Sequence, residues 1–468
     1  MSLDQIRDKV DEICAKKKGR KLFALRENKT NVLRELMAGL TTFMAMSYIL
    51  LVNPNLLAGT GMPREELFTA IALASAIGTL TMGLFANLPY GLAPGIGLSV
   101  FFVSLCAKMG YSWKFVLLCV FAEGLILLIL SLLNVREALL RALPENLRKG
   151  ISAGIGFFLI LVGLQSAGLI TVDAGYGMVM GRLDNIPAIL TLAGFLIITV
   201  LYHYNVRAAM FLGIVATWLL GIGCQLLGWY TVGEGAPSLI PAKLFSLPVW
   251  VKSLGGACFD FKSILGDFPN VWIFLLNAFC VILALLYSDF FGTLGTMLGV
   301  AKKGALTESD GTPVRAKQAF FANAVSTMAG GVLGTSTATV YAESAAGVMQ
   351  GGRTGLASVM IAVMFLLSLF FAPLFLAVPG FAVAPILIFV GILMTEPIFT
   401  LPFEDLSETI PAVLAALVMP FSGSIANGIA AGVVFYTLIH VLEFKFKKLN
   451  VCLYVLTVLF IAYFVLIA

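Results

Sequence analysis

LPYGLAPGIGLS, residues 88–99, and GTSTATVYAES, residues 334–344, each interrupt a long apolar run with Pro, Gly, Ser and Thr where an ordinary membrane helix would continue. In hydrocarbon, irregular backbone is tolerated only where protein or a water-filled cavity supplies its hydrogen bonds. Paired breaks at corresponding places in the two halves of an apolar chain point to a solute-binding site in a membrane carrier. The second stretch also holds Glu343, a carboxylate inside an apolar segment.

Composition agrees. Of 468 residues, 60% are hydrophobic and 12% charged, and the mean hydropathy is +0.99. A soluble core cannot hide so much apolar surface, so the chain reads as an all-α polytopic membrane protein. The net charge of +5 is unevenly placed, with ten Lys and Arg in the first 34 residues. The seven cysteines show neither CxxC nor CxxH spacing, which suggests no disulfide framework and no metal site. No GxxxxGK[ST] run occurs, so a gradient is a simpler energy source than ATP.

Residues 1–34 are polar and basic and lack the layout of a cleavable signal peptide. Ile6, Val10 and Ile13 recur at helical spacing ahead of Lys16–Lys21, which suits either an amphipathic helix on an anionic leaflet or a solvated basic tail.

A hydrocarbon core about 30 Å thick needs roughly 20 apolar residues per helix. Such segments fall at 35–57, 67–86, 88–107, 113–133, 150–170, 186–203 and 207–229, a first set of seven. A second set of seven falls at 270–298, 318–333, 335–350, 354–377, 381–398, 407–421 and 424–442, with an extra apolar segment at 449–468. Arg136, Arg141, Arg148 and Lys149, then Lys302, Lys303, Arg315 and Lys317, then Lys445, Lys447 and Lys448 all fall on the side of the N-terminus, which is thereby placed in the cytoplasm. Odd-numbered halves enter the bilayer inverted relative to each other. The expected organisation is a basic N-terminal segment (1–34), a first repeat (35–229), an extracytoplasmic linker (230–268), a second, inverted repeat (269–444) and a C-terminal hydrophobic segment (445–468).

The third segment of each repeat carries the break. Residues 88–97 are too rich in Gly and Pro for a regular helix and precede the apolar run 100–106, with Ser99 the expected N-cap. Residues 335–341 are Thr-rich, suit a short strand, and precede the helical run 345–349. Oppositely oriented, the two elements bring half-helix N-termini together near the midplane, where free N–H groups face a small polar space.

Glu343 stands where the second extended piece turns helical, and Asp289 lies in LLYSDFFGTLGTMLGV. A lone ionised carboxylate at mid-bilayer costs about 2.5–3.5 kcal/mol on insertion scales, so both must face protein or water. A carboxylate that alternates between protonated and ionised forms is what proton coupling requires, which makes Glu343 and Asp289 the coupling candidates. Glu123, in the fourth segment, reads as a structural partner of a neighbouring helix. Gly150–Gly154 (GISAG) matches the GxSxG hydrolase pattern but lies on a helix with no preceding strand, and the two histidines, His203 and His440, fall at membrane edges. Small-xxx-small helix contact explains the same residues, and no enzyme is expected.

At these residues the chain resembles the hypoxanthine/guanine/adenine permease branch of the nucleobase–cation symporter-2 family, within the xanthine/uracil permease superfamily. The resemblance runs nearly end to end and is most specific in AGLTTFMAMSYILLVNPNLL (38–57), APGIGLSVFF (93–102), GTLGTMLGVA (292–301) and GTSTATVYAESAAGVMQGGRTGLASV (334–359). It implies fourteen spans arranged as a core (spans 1–4 and 8–11) against a gate (5–7 and 12–14), with substrate between them beside the strands of spans 3 and 10. It further implies that Glu343 holds the base, helped by backbone groups of Ile96, Gly97, Leu98 and Ser99 and of Tyr341 and Ala342; Thr293 and Asp289 on span 8 are further candidates, Asp289 as the carboxylate that compensates for Gly292. The implied partners are a purine nucleobase, a co-transported proton and the bilayer of the cell membrane, with a homodimer as candidate assembly and neither cofactor nor nucleic acid.

Two departures from that branch stand out. Its usual FDTxGT run reads Phe291–Thr296 as FGTLGT here, so Gly292 replaces an Asp that contributes to the base site. Asp289, about 4.5 Å along the helix and 60° around it, reaches the same space only with shifted geometry. The usual Asn after PGxGL is Ser99, with a shorter reach and a single hydroxyl. Uracil or another small planar heterocycle is therefore an alternative substrate, and an anion transporter or channel on the related inverted-repeat fold is the alternative class.

Overall fold

In the computed structural model the described residues are 23–132, 144–173, 177–204, 206, 209–230, 239–240, 243–304, 306–307, 313–422 and 425–466. The basic run at 16–21 and the cationic loop residues Arg136 and Arg141 lie outside them. In chain order the first half comprises α1 (Val32–Met46), α2 (Ile49–Ala58), α3 (Arg64–Thr81), β1 (Leu92–Pro94), α4 (Ile96–Met109), α5 (Trp113–Leu132), α6 (Glu145–Ser166), β2 (Ile170–Asp173), β3 (Gly177–Met180), α7 (Ile186–His203) and α8 (Ala209–Leu226). After α9 (Phe261–Gly266) the second half comprises α10 (Val271–Gly304), α11 (Ala316–Leu333), β4 (Ala338–Val340), α12 (Ser344–Met349), α13 (Gly355–Ser368), α14 (Ala372–Leu376), α15 (Gly380–Thr395), α16 (Leu406–Ser422), α17 (Ile425–Leu442) and α18 (Val451–Leu466). Among the described residues, nine helical stretches are long and apolar enough to cross a membrane, and three shorter ones are equally apolar.

Helix contacts recur in pairs related by exchanging the halves. The pair α1·α13 is matched by α10·α5, α3·α13 by α11·α5, and α2·α4 by α10·α12. Elsewhere α7·α15 is matched by α16·α6, α7·α8 by α16·α17, and α8·α15 by α17·α6. Two contacts, α3·α11 and α6·α15, map onto themselves. The first group of helices surrounds the strands, and the second forms a body packed against it, the two sharing one hydrophobic core. Phe43 meets Phe365 edge to face at 5.3 Å between α1 and α13, and Phe290 stacks on Phe320 at 4.8 Å between α10 and α11.

Glycine sets the closest approaches in the second body. A Cβ on Gly156 would meet the Gly391 carbonyl at 2.6 Å, and one on Gly391 would meet the Gly156 carbonyl at 2.7 Å, so α6 and α15 touch backbone to backbone. Gly150 abuts the Ala412 backbone and Gly154 abuts Ala416 and Met419 of α16. The GISAG run is thus a helix contact, as its small-residue spacing predicts. Outward faces carry Leu196, Leu219 and Trp272, which suits lipid.

Four local features differ from or add to expectation. The fifth segment is helical over 145–166 rather than 150–170, because its end turns into the antiparallel hairpin β2–β3. Helix α10 continues to Gly304, beyond the expected 298. The linker contains ordered structure: Glu66 of α3 accepts from the Ser253 and Leu254 amides, and Lys114 pairs with Asp260 at 2.7 Å. Ser99 is not an N-cap; α4 starts at Ile96 with Gly95 at the cap, because the extended chain of β1 ends at Pro94 and leaves room for an earlier helical turn.

Candidate functional site

The two breaks meet. β1 and β4 pair antiparallel with Leu92 opposite Val340, Ala93 opposite Thr339 and Pro94 opposite Ala338. A ribbon this short leaves most of its polar groups to other partners, and in an apolar environment each must be satisfied. Thr79 of α3 both accepts from the Leu92 amide (2.9 Å) and donates to its carbonyl (3.0 Å). Pro94 has no N–H, and its carbonyl accepts from Asn53 at 2.6 Å and from the Tyr341 hydroxyl at 2.7 Å. Just beyond the strands, the Gly95 amide donates to the Thr337 carbonyl and the Tyr341 amide to the Gly91 carbonyl, both at 3.0 Å.

From this ribbon two helices depart, α4 after Gly95 and the six-residue α12 after Glu343. Glu343 takes the cap position of α12 without a side-chain capping bond, so its carboxylate is directed elsewhere. It accepts from the Tyr48 hydroxyl at 2.6 Å. Tyr48 is buried at a break in the first segment, where α1 ends and α2 has yet to begin. Glu343 is half-buried and Ala342 beside it is exposed, so this corner of the ribbon opens to its surroundings. Ile96 and Leu98 are buried, while a Cβ on Gly97 would meet Ile155 of α6 at 2.8 Å, which places the start of α4 against the second body.

Three candidates, Asp289, Thr293 and Ser99, are buried and hydrogen-bonded beside the ribbon. Asp289 is fully buried; one carboxylate oxygen accepts from Thr293 at 2.8 Å and the other from Asn323 at 2.7 Å. Thr293 in turn shares a 2.8 Å hydrogen bond with Thr339 of β4. Asp289 therefore touches the strand through Thr293. Ser99 is also fully buried, sharing a 2.6 Å hydrogen bond with Ser336, so it ties the first turn of α4 to the approach of β4. Gly292 is exposed with open space where a Cβ would stand.

Sequence reasoning missed Tyr48, Asn53, Ser336 and Asn323. Tyr48 and Asn53 had a signal: SYILLVNPN sets polar residues and Pro54 inside an otherwise apolar segment. Ser336 and Asn323 had none, since their partners lie far along the chain.

Apolar helices in exchange-related pairs, a broken-segment ribbon and a half-buried carboxylate at its open corner define a multi-pass membrane carrier. The chain belongs to the permease family of the xanthine and uracil permeases, whose profile matches residues 33–431. It is a transporter and not an enzyme. It is 35% identical to adenine permease AdeP of Escherichia coli over 94% of each chain. Against guanine/hypoxanthine permease PbuO of Bacillus subtilis it is 36% identical over 94% of this chain and 98% of that one. Among solved structures, the transmembrane domain of the cyanobacterial bicarbonate transporter BicA superposes with a TM-score of 0.58 at 17% identity, covering 86% of this chain and 97% of that one.

Proposed function

We propose that this permease takes up a purine nucleobase together with a proton, by alternating access at the open corner of the β1–β4 ribbon. The observation that carries the reading is Glu343, a half-buried carboxylate oriented by Tyr48 where two broken segments meet. A carboxylate accepts from the ring and exocyclic N–H groups of a purine, while nearby backbone groups reach its remaining edge. The names of the similar adenine and guanine/hypoxanthine permeases support the substrate class. Likeness to a bicarbonate transporter bears on the fold alone, and an ionised carboxylate in the site repels an anion.

In this reading fourteen segments cross the cell membrane as two inverted sets of seven, with the N-terminus cytoplasmic. The helices around the ribbon are the core, and those joined by the Gly156–Gly391 contact are the gate. The exchange-related helix pairs support that division. Asp289 and Ser99 then position the ribbon rather than hold the base directly.

The test is uptake into proteoliposomes with a panel of labelled hypoxanthine, guanine, adenine, xanthine and uracil. Purine accumulation should rise with an inward proton gradient and collapse with a protonophore at constant sodium. Glu343→Gln should retain some binding and lose accumulation. Uptake that follows a sodium gradient and ignores the protonophore would overturn the coupling, and preference for uracil would overturn the purine assignment.

A further inference from the structure

Against the approach to β4 stands a buried carboxylate that the transport reading does not use. Glu123 lies midway along α5 and is fully buried. Its Oε2 accepts from the Thr337 hydroxyl at 2.6 Å, and its Oε1 has no partner. The adjoining wall is α11, where Gly124 fits against Ala324 and Met328, so Asn323 lies at the same level. Asn323 gives its amide to Asp289, and its own Oδ1 is also buried without a partner. Asp289 of α10 joins the same strand approach, since Thr293 links it to Thr339, two residues beyond the Thr337 that Glu123 holds.

Both unpartnered atoms, Glu123 Oε1 and Asn323 Oδ1, are acceptors. The hydroxyls bonded to the two carboxylates are committed, Thr337 to Glu123 and Thr293 to Asp289, and the buried Thr335 hydroxyl, two residues before Thr337, bonds neither. Within these contacts acceptors outnumber donors. Among the described side chains of the helices that carry the cluster no cation meets it: on α5 Lys114 is paired with Asp260 at one end, Lys317 of α11 donates to the Leu132 carbonyl at the other, and Lys108 of α4 is exposed. Among the described residues, the buried Cys119 thiol one turn away on the same helix also neighbours Glu123. Two buried carboxylates without a cation cannot both stay ionised at tolerable cost.

We propose that Glu123 is a proton-binding site, and that the strand reads its protonation through Thr337. A proton on Oε1 supplies the missing donor and removes one of two like charges. Thr337 and Thr339 are two apart on extended backbone and so share a face, one tied to Glu123 and the other, through Thr293, to Asp289. Loss of the proton strengthens the pull of Glu123 on Thr337 and sets Glu123 against Asp289. The strand that ends beside Glu343 then bears the change. The inference rests on proton symport for its link to transport, but the protonation itself stands apart from it.

The experiment pairs infrared spectroscopy of the full-length reconstituted protein with transport. The wild type should show a carbonyl stretch of a protonated, hydrogen-bonded carboxylic acid that disappears in Glu123→Gln. Thr337→Val, nearly isosteric, should shift that band without removing it. In proteoliposomes Glu123→Gln should lose gradient-driven accumulation while homologous exchange persists. No acid band attributable to Glu123, or a band unmoved in Thr337→Val, overturns the site. Wild-type accumulation in Glu123→Gln overturns its part in coupling. Should Glu123→Gln fail to fold, the Thr337→Val band shift decides by itself. A wild type indifferent to protonophore sinks the symport reading and the coupling role, leaving the protonated site to be judged by its spectrum.

Discussion

Replacing Tyr48 with Phe removes one oxygen and leaves the buried ring, so it isolates the bond that orients Glu343. At 2.6 Å the contact has the length of a hydroxyl-to-carboxylate hydrogen bond in which the acceptor is charged. Such bonds contribute about 1.5–3 kcal/mol net. Glu343 is half-buried, so water recovers part of the loss when the donor is gone. A remainder of about 1.4 kcal/mol corresponds to about a tenfold rise in the Kd for the base. The assay is calorimetric binding of a purine to purified protein, with the melting temperature recorded to show that the fold survives. Tyr436→Phe is the control, because its hydroxyl meets Glu408 at 3.2 Å, far from the ribbon along the chain. Wild-type affinity in Tyr48→Phe, alongside a clear loss in Glu343→Gln, would refute the orienting role and reduce Tyr48 to a filler of core volume.

Asp289→Asn keeps the shape but sets an amide NH₂ against one of its two donors, Thr293 and Asn323; affinity for the base should fall by about 1–3 kcal/mol through the displaced strand. Gly292→Asp has open space for its side chain, so it should fold normally and alter base preference in the competition panel; unchanged preference would place Gly292 outside the site. Gly156→Val drives a side chain into the Gly391 carbonyl, and a loss of about 1–3 kcal/mol or more should appear as a lower melting temperature or lost yield. Lys448→Ala removes the ammonium that donates to Glu408 at 2.8 Å. That hydrogen bond raises the proton affinity of Lys448 above its ordinary 10.5, so the stabilisation is complete below that pH and is lost as pH rises through the higher folded value. With Lys448 partly exposed the cost should stay under about 1 kcal/mol and be constant across the neutral range.

The order of apolar segments was legible because helices in lipid announce themselves by length and hydropathy. The breaks were legible because Pro, Gly and clustered Thr have no other reason to interrupt such a run. Glu343 stood out as a charge in an apolar setting. What lies between segments far apart in sequence left no trace. Nothing in LAP or ATV says that Leu92 will face Val340, since three-residue strands carry no pattern that fixes a register. Ser99 looked like a cap because Ser favours that position, yet Gly95 supplies the extended backbone there and frees Ser99 to bond Ser336. Asp289 stood out as the nearest carboxylate to Gly292. Its two donors, Thr293 and Asn323, belong to a fold that the local sequence does not describe.

The distribution of partners around Leu92–Pro94 bears on how the protein is made. The ribbon cannot close until Val340 has left the ribosome, so the first half must wait in the membrane with its strand unpaired. Both polar groups of Leu92 are held by Thr79, and Asn53 already reaches the Pro94 carbonyl. These holders are upstream of the strand and therefore in place as it emerges. The Gly91 and Gly95 amides, by contrast, wait for Ser344 and Thr337. The nascent half thus keeps its strand tethered yet open, a template on which the later half completes its insertion.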